Sequence, residues 1–516
     1  MNRAAFWAVF VGALALGLAF RLTDPGARPM HHDEANQAVR FGTLLETGEY
    51  RYDRQDHHGP TLYYLTLPFA WMRGQWTLAA VDERTLRMVP AVFGAGTILL
   101  FPLVSRGVGR TAVAVAASLA AISPVLTYYS RFYVQDSLFV FFTLAFLIAL
   151  GRYAQRPGAA PAIWAGALGG LAYATKETSL IVLPAAGAAC AIAASMSRKE
   201  GEQVGDPPRA GPRTLIVHGL AAIGAALLPA LFLFTGFFRN PAGLLDSVSA
   251  ISIYLSRGVE PGPHVQPWFS YLQTMAWSSS GGLVWTDALV LLLAVAGIVH
   301  AIAVRKTTFW PLYIGLYSIG TMAIFSAVRY KTPWNVLPFY AGIVLMAGIG
   351  AAALLARARH RPARVLLAVA LVAAGWQLAT QSVRASFQYP ADVRNPYAYA
   401  HTGTDFVRLT SRVHDLAERH PDGRDMLVKV IAGPYEQWPF PWYARDLTRV
   451  GYWSHAAEAG PLDGVPVVLA SQENAAAVDA AVGDRYVSEF YGLRPGVLLT
   501  LYVERGLWER FMESRQ

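Results

Sequence analysis

The chain contains a single cysteine, Cys190, so no internal disulfide can brace any part of it and sulfur says nothing about its compartment. Charge is nearly as scarce: Asp, Glu, Lys and Arg make up 15% of the residues, against roughly 25% in soluble proteins. There is no Gly-rich phosphate loop, which removes the usual sign of a soluble nucleotide-sugar pocket. No internal repeat is evident, and no small-x-small cleavage site follows the apolar stretch behind Asn2-Arg3. That stretch therefore reads as an uncleaved first helix rather than a secretory signal. What the chain has in quantity is apolar sequence, 54% of its residues, gathered in blocks too long for a soluble core and suited to a hydrocarbon layer. The net charge of +9 does not suggest nucleic acid, because the basic residues lie between the apolar blocks, where they report topology.

Eleven blocks, at about 4–21, 86–104, 111–129, 136–151, 161–175, 178–196, 215–237, 285–304, 308–327, 334–356 and 364–383, predict a mainly α, polytopic membrane protein of about eleven transmembrane helices. With the amino terminus in the cytoplasm, the inside connections carry Arg106 and Arg110; Arg152 and Arg156; Arg198, Lys199, Arg209 and Arg213; Arg305 and Lys306; and Arg357, Arg359, Arg361 and Arg364. These short loops obey the positive-inside rule in succession. Gly201 to Pro212 reads as a disordered cytoplasmic connection. The pattern predicts a multi-pass protein of the cell (inner) membrane whose tail lies outside.

Two domains are expected: a transmembrane body, 1–384, with long outer loops at 22–85 and 238–284, and an extracytoplasmic α/β domain, 385–516. In the tail, Met426–Ile431, Val465–Leu469 and Val497–Tyr502 resemble strands, and Ala475–Val482 resembles a helix. The segment Pro434 to Tyr443, rich in Trp, Pro and Tyr, has two readings: aromatics at the membrane interface or in the domain core, and a stacking surface for a saccharide.

The residues capable of chemistry fall at one end of the ladder of spans. His31-His32-Asp33-Glu34 begins about ten residues after the first span, at the start of an interfacial helix. Asp33 there is placed to take a proton from an attacking hydroxyl, the alternative being a helix cap. Asp56-His57-His58-Gly59-Pro60 follows, so four of the twelve histidines share one loop with several carboxylates. His31, His32 and Asp56 are candidate ligands for a divalent metal, the one cofactor suggested; the spacing matches no zinc pattern, and His57 and His58 serve equally well as substrate contacts. Arg131 and Asp136 sit at the mouth of a span and face a polar cavity or pair with each other. Lys176-Glu177 occupies a tight turn between spans, as an ion pair or as a substrate contact. Arg329-Tyr330-Lys331 beside Trp334 suits a lipid phosphate, or snorkels to headgroups.

A multispan chain with an Asp-Glu pair in its first outer loop, Arg-x-x-x-x-Asp in the second, Lys beside a tight outer turn and a large outer loop after the seventh span resembles the GT-C glycosyltransferases. Within them it is similar to the protein O-mannosyltransferase and lipid A aminoarabinose transferase group. The strings His31-His32-Asp33-Glu34-Ala35, His57-His58-Gly59-Pro60-Thr61-Leu62-Tyr63-Tyr64, Ser130-Arg131-Phe132-Tyr133-Val134-Gln135-Asp136 and Arg329-Tyr330-Lys331-Thr332-Pro333-Trp334-Asn335 look most like a flippase-activity-associated branch of glycan assembly.

The resemblance spans about 1–385 in layout. It implies transfer of a sugar from a polyprenyl-phosphate donor to a glycan, lipid or protein acceptor on the outer face, with Asp33 as the essential carboxylate, Glu34 beside it and Asp136 as the second-loop Asp. His57, His58, Arg131, Lys176, Arg329, Tyr330 and Lys331 become substrate contacts. Relatives often place Lys or His before Pro-Pro-Leu; this chain has His58-Gly59-Pro60-Thr61-Leu62, which leaves the role of His58 open. The competing classes are a lipid-linked glycan flippase or other transport component, and a noncatalytic partner in glycan assembly. Transporters place charges near the bilayer midplane, and these charges cluster at one surface.

The topology has a direct check. In His420→Cys, an impermeant thiol reagent is expected to label position 420 from outside intact cells. Labelling only after the inner face is opened overturns the orientation and the shared outer face.

Overall fold

The computed structural model describes residues 1–55, 58–197, 211–257, 264–305 and 308–514. Asp56, His57, the connection at 198–210, Pro261 to Pro263 and Lys306 lie outside them. Helices occupy every expected span: Arg3–Leu22, Glu83–Leu100, Arg110–Ile122 followed by Pro124–Tyr129, Asp136–Gln155, Ala159–Tyr173, Ser179–Ser197, Pro212–Phe234, Ala288–Ala303, Phe309–Ala327, Leu337–Arg357 and Arg361–Val383. Among the described residues, eight helical segments are long and apolar enough to cross a membrane. Arg110–Ile122, Ala159–Tyr173 and Ala288–Ala303 have 13, 15 and 16 residues, which is about 20 to 24 Å against a hydrocarbon layer of about 30 Å. Length and composition thus support eight crossings and do not confirm the expected eleven.

The outer surface of this bundle is suited to lipid rather than water. On Arg361–Val383, Leu366, Val372 and Trp376 are 71%, 74% and 74% exposed, and an apolar patch of that kind marks contact with a membrane or partner. Inside, small residues let helices approach closely. A Cβ on Gly166 or Gly170 would fall 2.0 or 2.1 Å from the carbonyl oxygens of Ala222 and Ala226, so Ala159–Tyr173 and Pro212–Phe234 pack backbone to backbone.

The long loops are structured. The first carries the helices His32–Thr47 and Thr61–Met72; the second carries Gly243–Arg257, Ser270–Ala276 and a short hairpin, β1 (Ser278–Ser280) and β2 (Leu283–Trp285). The tail forms a five-stranded sheet from β3 (Val428–Ile431), β4 (Val450–Trp453), β5 (Val467–Ser471), β6 (Tyr486–Arg494) and β7 (Val497–Glu504), in the order β4-β3-β5-β7-β6. β3 pairs in parallel with β4 and β5, while β7 runs antiparallel to β5 and β6. Helices Thr404–Ala417, Gln472–Val482 and Arg505–Glu513 accompany it. Three strands match the sequence expectation; β4 and β6 are additions.

The tail is docked on the bundle by named contacts. The Trp442 indole N–H donates to Glu83 Oε1 (2.8 Å), the Tyr443 hydroxyl accepts from the Met30 N–H (2.9 Å), and Arg445 donates to the carbonyls of Leu78 and Val81. Phe440 and Trp442 are buried. For this half of the aromatic segment the structure supports the core-and-interface reading.

Candidate active site

The first long loop is organised around Glu34. Its carboxylate is fully buried and accepts from Arg28 Nη2 (2.8 Å), Arg87 Nε (2.8 Å), Arg87 Nη2 (2.9 Å), the Tyr133 N–H (2.8 Å) and the His31 N–H (3.1 Å). Arg87 is a forked, bidentate partner, and the Arg28 guanidinium also lies 3.6 Å from the centre of the Phe132 ring. Burial by itself raises the pKa of a carboxyl group, but the two cations and the hydrogen bonds from Arg87 and Tyr133 reverse that and hold Glu34 at about 2. One side chain thus fixes the loop, the span beginning at Glu83 and the Tyr129–Asp136 turn to one another.

One residue earlier the helix faces outward, and Asp33 is 35% exposed. The alternative that Asp33 caps this helix does not hold, because His31 is the cap. Its Nδ1 accepts from the Asp33 N–H (3.1 Å), and Glu34 returns a bond to the His31 N–H, a capping box with His in the usual Ser or Thr position. With Nδ1 accepting, Nε2 carries the proton and donates to the Tyr399 carbonyl (2.9 Å). Burial raises the pKa of Asp33, and its electrostatic interactions with His31, His32, His58 and Lys176 bring it below the ordinary carboxylate value. The group is therefore an ionised carboxylate near neutral pH.

The turn between two spans reaches the same place. Lys176 Nζ donates to Asp136 Oδ1 (2.7 Å), and both side chains are buried. Arg131 does not pair with Asp136. Its donors go to the carbonyls of Phe20, Arg21, Thr23 and Asp24, at 2.6 to 3.3 Å, capping the end of the first span. His58 is bridged to Lys176 through the backbone, the Gly59 N–H donates to the Thr175 carbonyl (3.2 Å), and the Thr61 N–H donates to the Ala174 carbonyl (3.3 Å). A Cβ at position 59 would lie 2.1 Å from the Ala174 oxygen, so glycine is required where the family pattern departs. Glu177 accepts from the Tyr52 hydroxyl (3.2 Å) and lies 3.7 Å from His58 Nδ1.

Lys331 belongs to the other wall. Its N–H donates to the His264 carbonyl (2.9 Å), Val265 bridges Tyr330, and Tyr330 packs 4.7 Å from the His264 ring. His264 Nδ1 meets the Tyr399 hydroxyl at 2.7 Å, and Tyr399 also receives the His31 bond, so the two walls are joined. Lys331 is 4% exposed; its Nζ donates to the carbonyls of Gln266 and Val328, and desolvation lowers its pKa. It lines a largely apolar cavity of about 150 Å³ with Tyr271, Met275, Tyr397 and Tyr399. Arg329 is exposed to solvent.

Sequence reasoning missed Arg28, Arg87, His264 and Tyr399. Only Arg87, a charge inside an apolar span, carried a usable signal. As to a metal, among the described residues no three His, Cys, Asp or Glu side chains converge. His31 has both ring nitrogens engaged, which does not suit a ligand, and Asp56 lies outside the described residues.

The profile of the dolichyl-phosphate-mannose-protein mannosyltransferase family matches residues 66–202. A sequence comparison with curated proteins gives no significant match. Among solved structures, ArnT from Cupriavidus metallidurans, bound to undecaprenyl phosphate, superposes with a TM-score of 0.60 and 16% identity over 97% of this chain and 98% of its own. The oligosaccharyltransferase AglB from Archaeoglobus fulgidus, with an inhibitory peptide and a dolichol-phosphate, gives 0.58 and 15% over 99% and 77%. The S. cerevisiae protein O-mannosyltransferase Pmt1-Pmt2 complex, bound to the sugar donor, gives 0.55 and 11% over 80% and 92%. The chain therefore has the fold of the GT-C glycosyltransferases, as its motifs suggested, and the likeness extends through the tail.

Glu34→Gln keeps the size of the side chain but leaves two buried guanidinium groups without a counter-charge. Breaking such a pair costs about 3–5 kcal/mol, so a marked drop in the thermal unfolding midpoint in detergent is expected; an unchanged midpoint contradicts the network. Because the folded-state pKa of Glu34 is depressed, its contribution is present above the unfolded value of 4.5 and is lost as pH falls toward about 2.

Proposed function

We propose that this protein is a membrane glycosyltransferase that moves a sugar from a polyprenyl-phosphate-linked donor to an acceptor hydroxyl on the outer face of the membrane. The observation that carries the reading is the pairing of an accessible, ionised Asp33 with a nearby apolar cavity holding a desolvated cation, Lys331. A prenyl phosphate needs both an apolar wall and a positive charge. The fold likeness to proteins solved with undecaprenyl phosphate or dolichol-phosphate supports the choice of donor.

Asp33 takes the proton of the acceptor hydroxyl as its oxygen attacks the anomeric carbon, and the lipid phosphate departs with the bonding pair. A phosphate leaves as a stable anion, so the second carboxylic acid that glycosidases use to protonate a poor leaving group is not needed. Lys331, with Arg329 and Tyr330 beside it, offsets the charge developing on the phosphate. Asp136 holds Lys176 next to Asp33, and His58 lines the same side. Glu34 and Arg131 act as positioning residues, their polar atoms engaged by the scaffold. Residues 1–384 form the catalytic body and 385–516 a docked extracytoplasmic domain, with the amino terminus in the cytoplasm. No step is assigned to a divalent metal.

Asp33→Asn preserves size and removes basicity. Transfer from a polyprenyl-phosphate sugar in membranes is expected to fall by about 10²-fold or more, with the protein still folded. Near-normal turnover by this variant moves the base away from Asp33 and overturns the mechanism.

A further inference from the structure

The aromatic segment at Pro434 to Tyr443 divides into two halves with different surroundings. Trp442 and Tyr443 hold the tail to the bundle, as described above, and Phe440 packs against Phe406 in the core of the tail. Tyr435 is different: it is 76% exposed, so its one ring contact with the bundle leaves most of its surface open. It lies beside the candidate base. Its ring stacks on His32, the neighbour of Asp33, with centroids 6.1 Å apart and planes 28° apart, and Trp438 stands 6.0 Å from the same imidazole at 54°. Arg494, from β6, donates to the Tyr435 carbonyl (3.1 Å), and its charge is felt by both Glu436 and His32.

We infer that His32, Tyr435 and Trp438, rimmed by Arg494 and Glu436, form an acceptor subsite for a saccharide, so that the acceptor hydroxyl delivered to Asp33 belongs to a glycan. The inference rests on the transferase reading. Its chemical basis is that a pyranose presents a face of weakly positive C–H groups, complementary to the electron-rich face of an aromatic ring, and hydroxyls that pair with a charged rim. A peptide in extended form would instead be held by main-chain hydrogen bonds. Here three carbonyls of this stretch are already engaged: that of Ala432 by Gln437 Nε2 (2.7 Å), that of Gly433 by the N–H groups of Glu436 and Gln437, and that of Tyr435 by Arg494. The exposed ring of Tyr435 and the charged rim favour the saccharide.

The test is binding without donor. Full-length protein in detergent, fluorescently labelled, is applied to an array of pyranose oligosaccharides printed beside Ser- and Thr-containing peptides. At least one oligosaccharide is expected to bind, with affinity weakened about tenfold in Tyr435→Ala, the equivalent of about 1.4 kcal/mol, and retained in Tyr435→Phe, which keeps the ring. Because Tyr435 is exposed, neither change should affect folding. Binding of no oligosaccharide, equal binding by Tyr435→Ala, or Tyr435-dependent binding of the peptides instead overturns the proposal. Glycan binding is expected to survive in Asp33→Asn. Normal transfer by Asp33→Asn alongside Tyr435-dependent glycan binding would therefore remove the catalytic assignment and leave the subsite standing.

Discussion

A buried carboxylate between two guanidinium groups is the constraint on which the site depends. Glu34 lies on the first turn of the loop helix, and its partners come from the bend before that helix (Arg28), a membrane helix (Arg87) and the turn before Asp136 (Tyr133). In a low-dielectric setting none of these charges is tolerable alone, so the segments are held together or not at all. Successive helical residues point about 100° apart. With Glu34 locked inward, Asp33 has no freedom but to face the opening. The position of the proposed base is thus set by a neighbour whose two carboxylate oxygens are both engaged by the scaffold.

The second dependence is on the segment that joins bundle and tail. Tyr399 receives the imidazole of His31 on its carbonyl and meets His264 through its hydroxyl. His264 in turn holds the backbone of Lys331. The base and the cation are linked through one residue of the connecting segment, and Tyr397 and Tyr399 complete the wall of the Lys331 cavity. A displaced tail would separate the two halves of the chemistry.

Much of this was legible before any coordinates. The apolar blocks marked the helices, and their alternation with basic loops gathered Asp33, His58, Asp136, Lys176 and Lys331 at one end, where the structure joins them. The helical phase was not legible: Asp33 and Glu34 are adjacent, and which of them faces inward depends on an arginine 53 residues away. Arg131 was read as a cavity residue because a charge at a span mouth needs a polar partner. It finds one in the carbonyls ending the first helix, an acceptor set invisible in sequence. Eleven crossings are not confirmed, because apolar composition does not disclose where a helix stops, as at Ser123-Pro124. β4 is only four residues, none of them fully buried, and β6 carries Ser488, Glu489, Arg494 and a register shift at Gly492, so neither carried a strong strand pattern.

In the proposed mechanism Asp33 and the lipid phosphate share one cleft. The most direct test is a cryo-EM structure of the purified protein with undecaprenyl phosphate. Phosphate density is expected beside Lys331 Nζ, open toward Asp33, with the prenyl chain leaving along the apolar wall that includes Tyr271 and Met275. Phosphate density at the opposite end of the bundle, or in a groove walled off from Asp33, would contradict it.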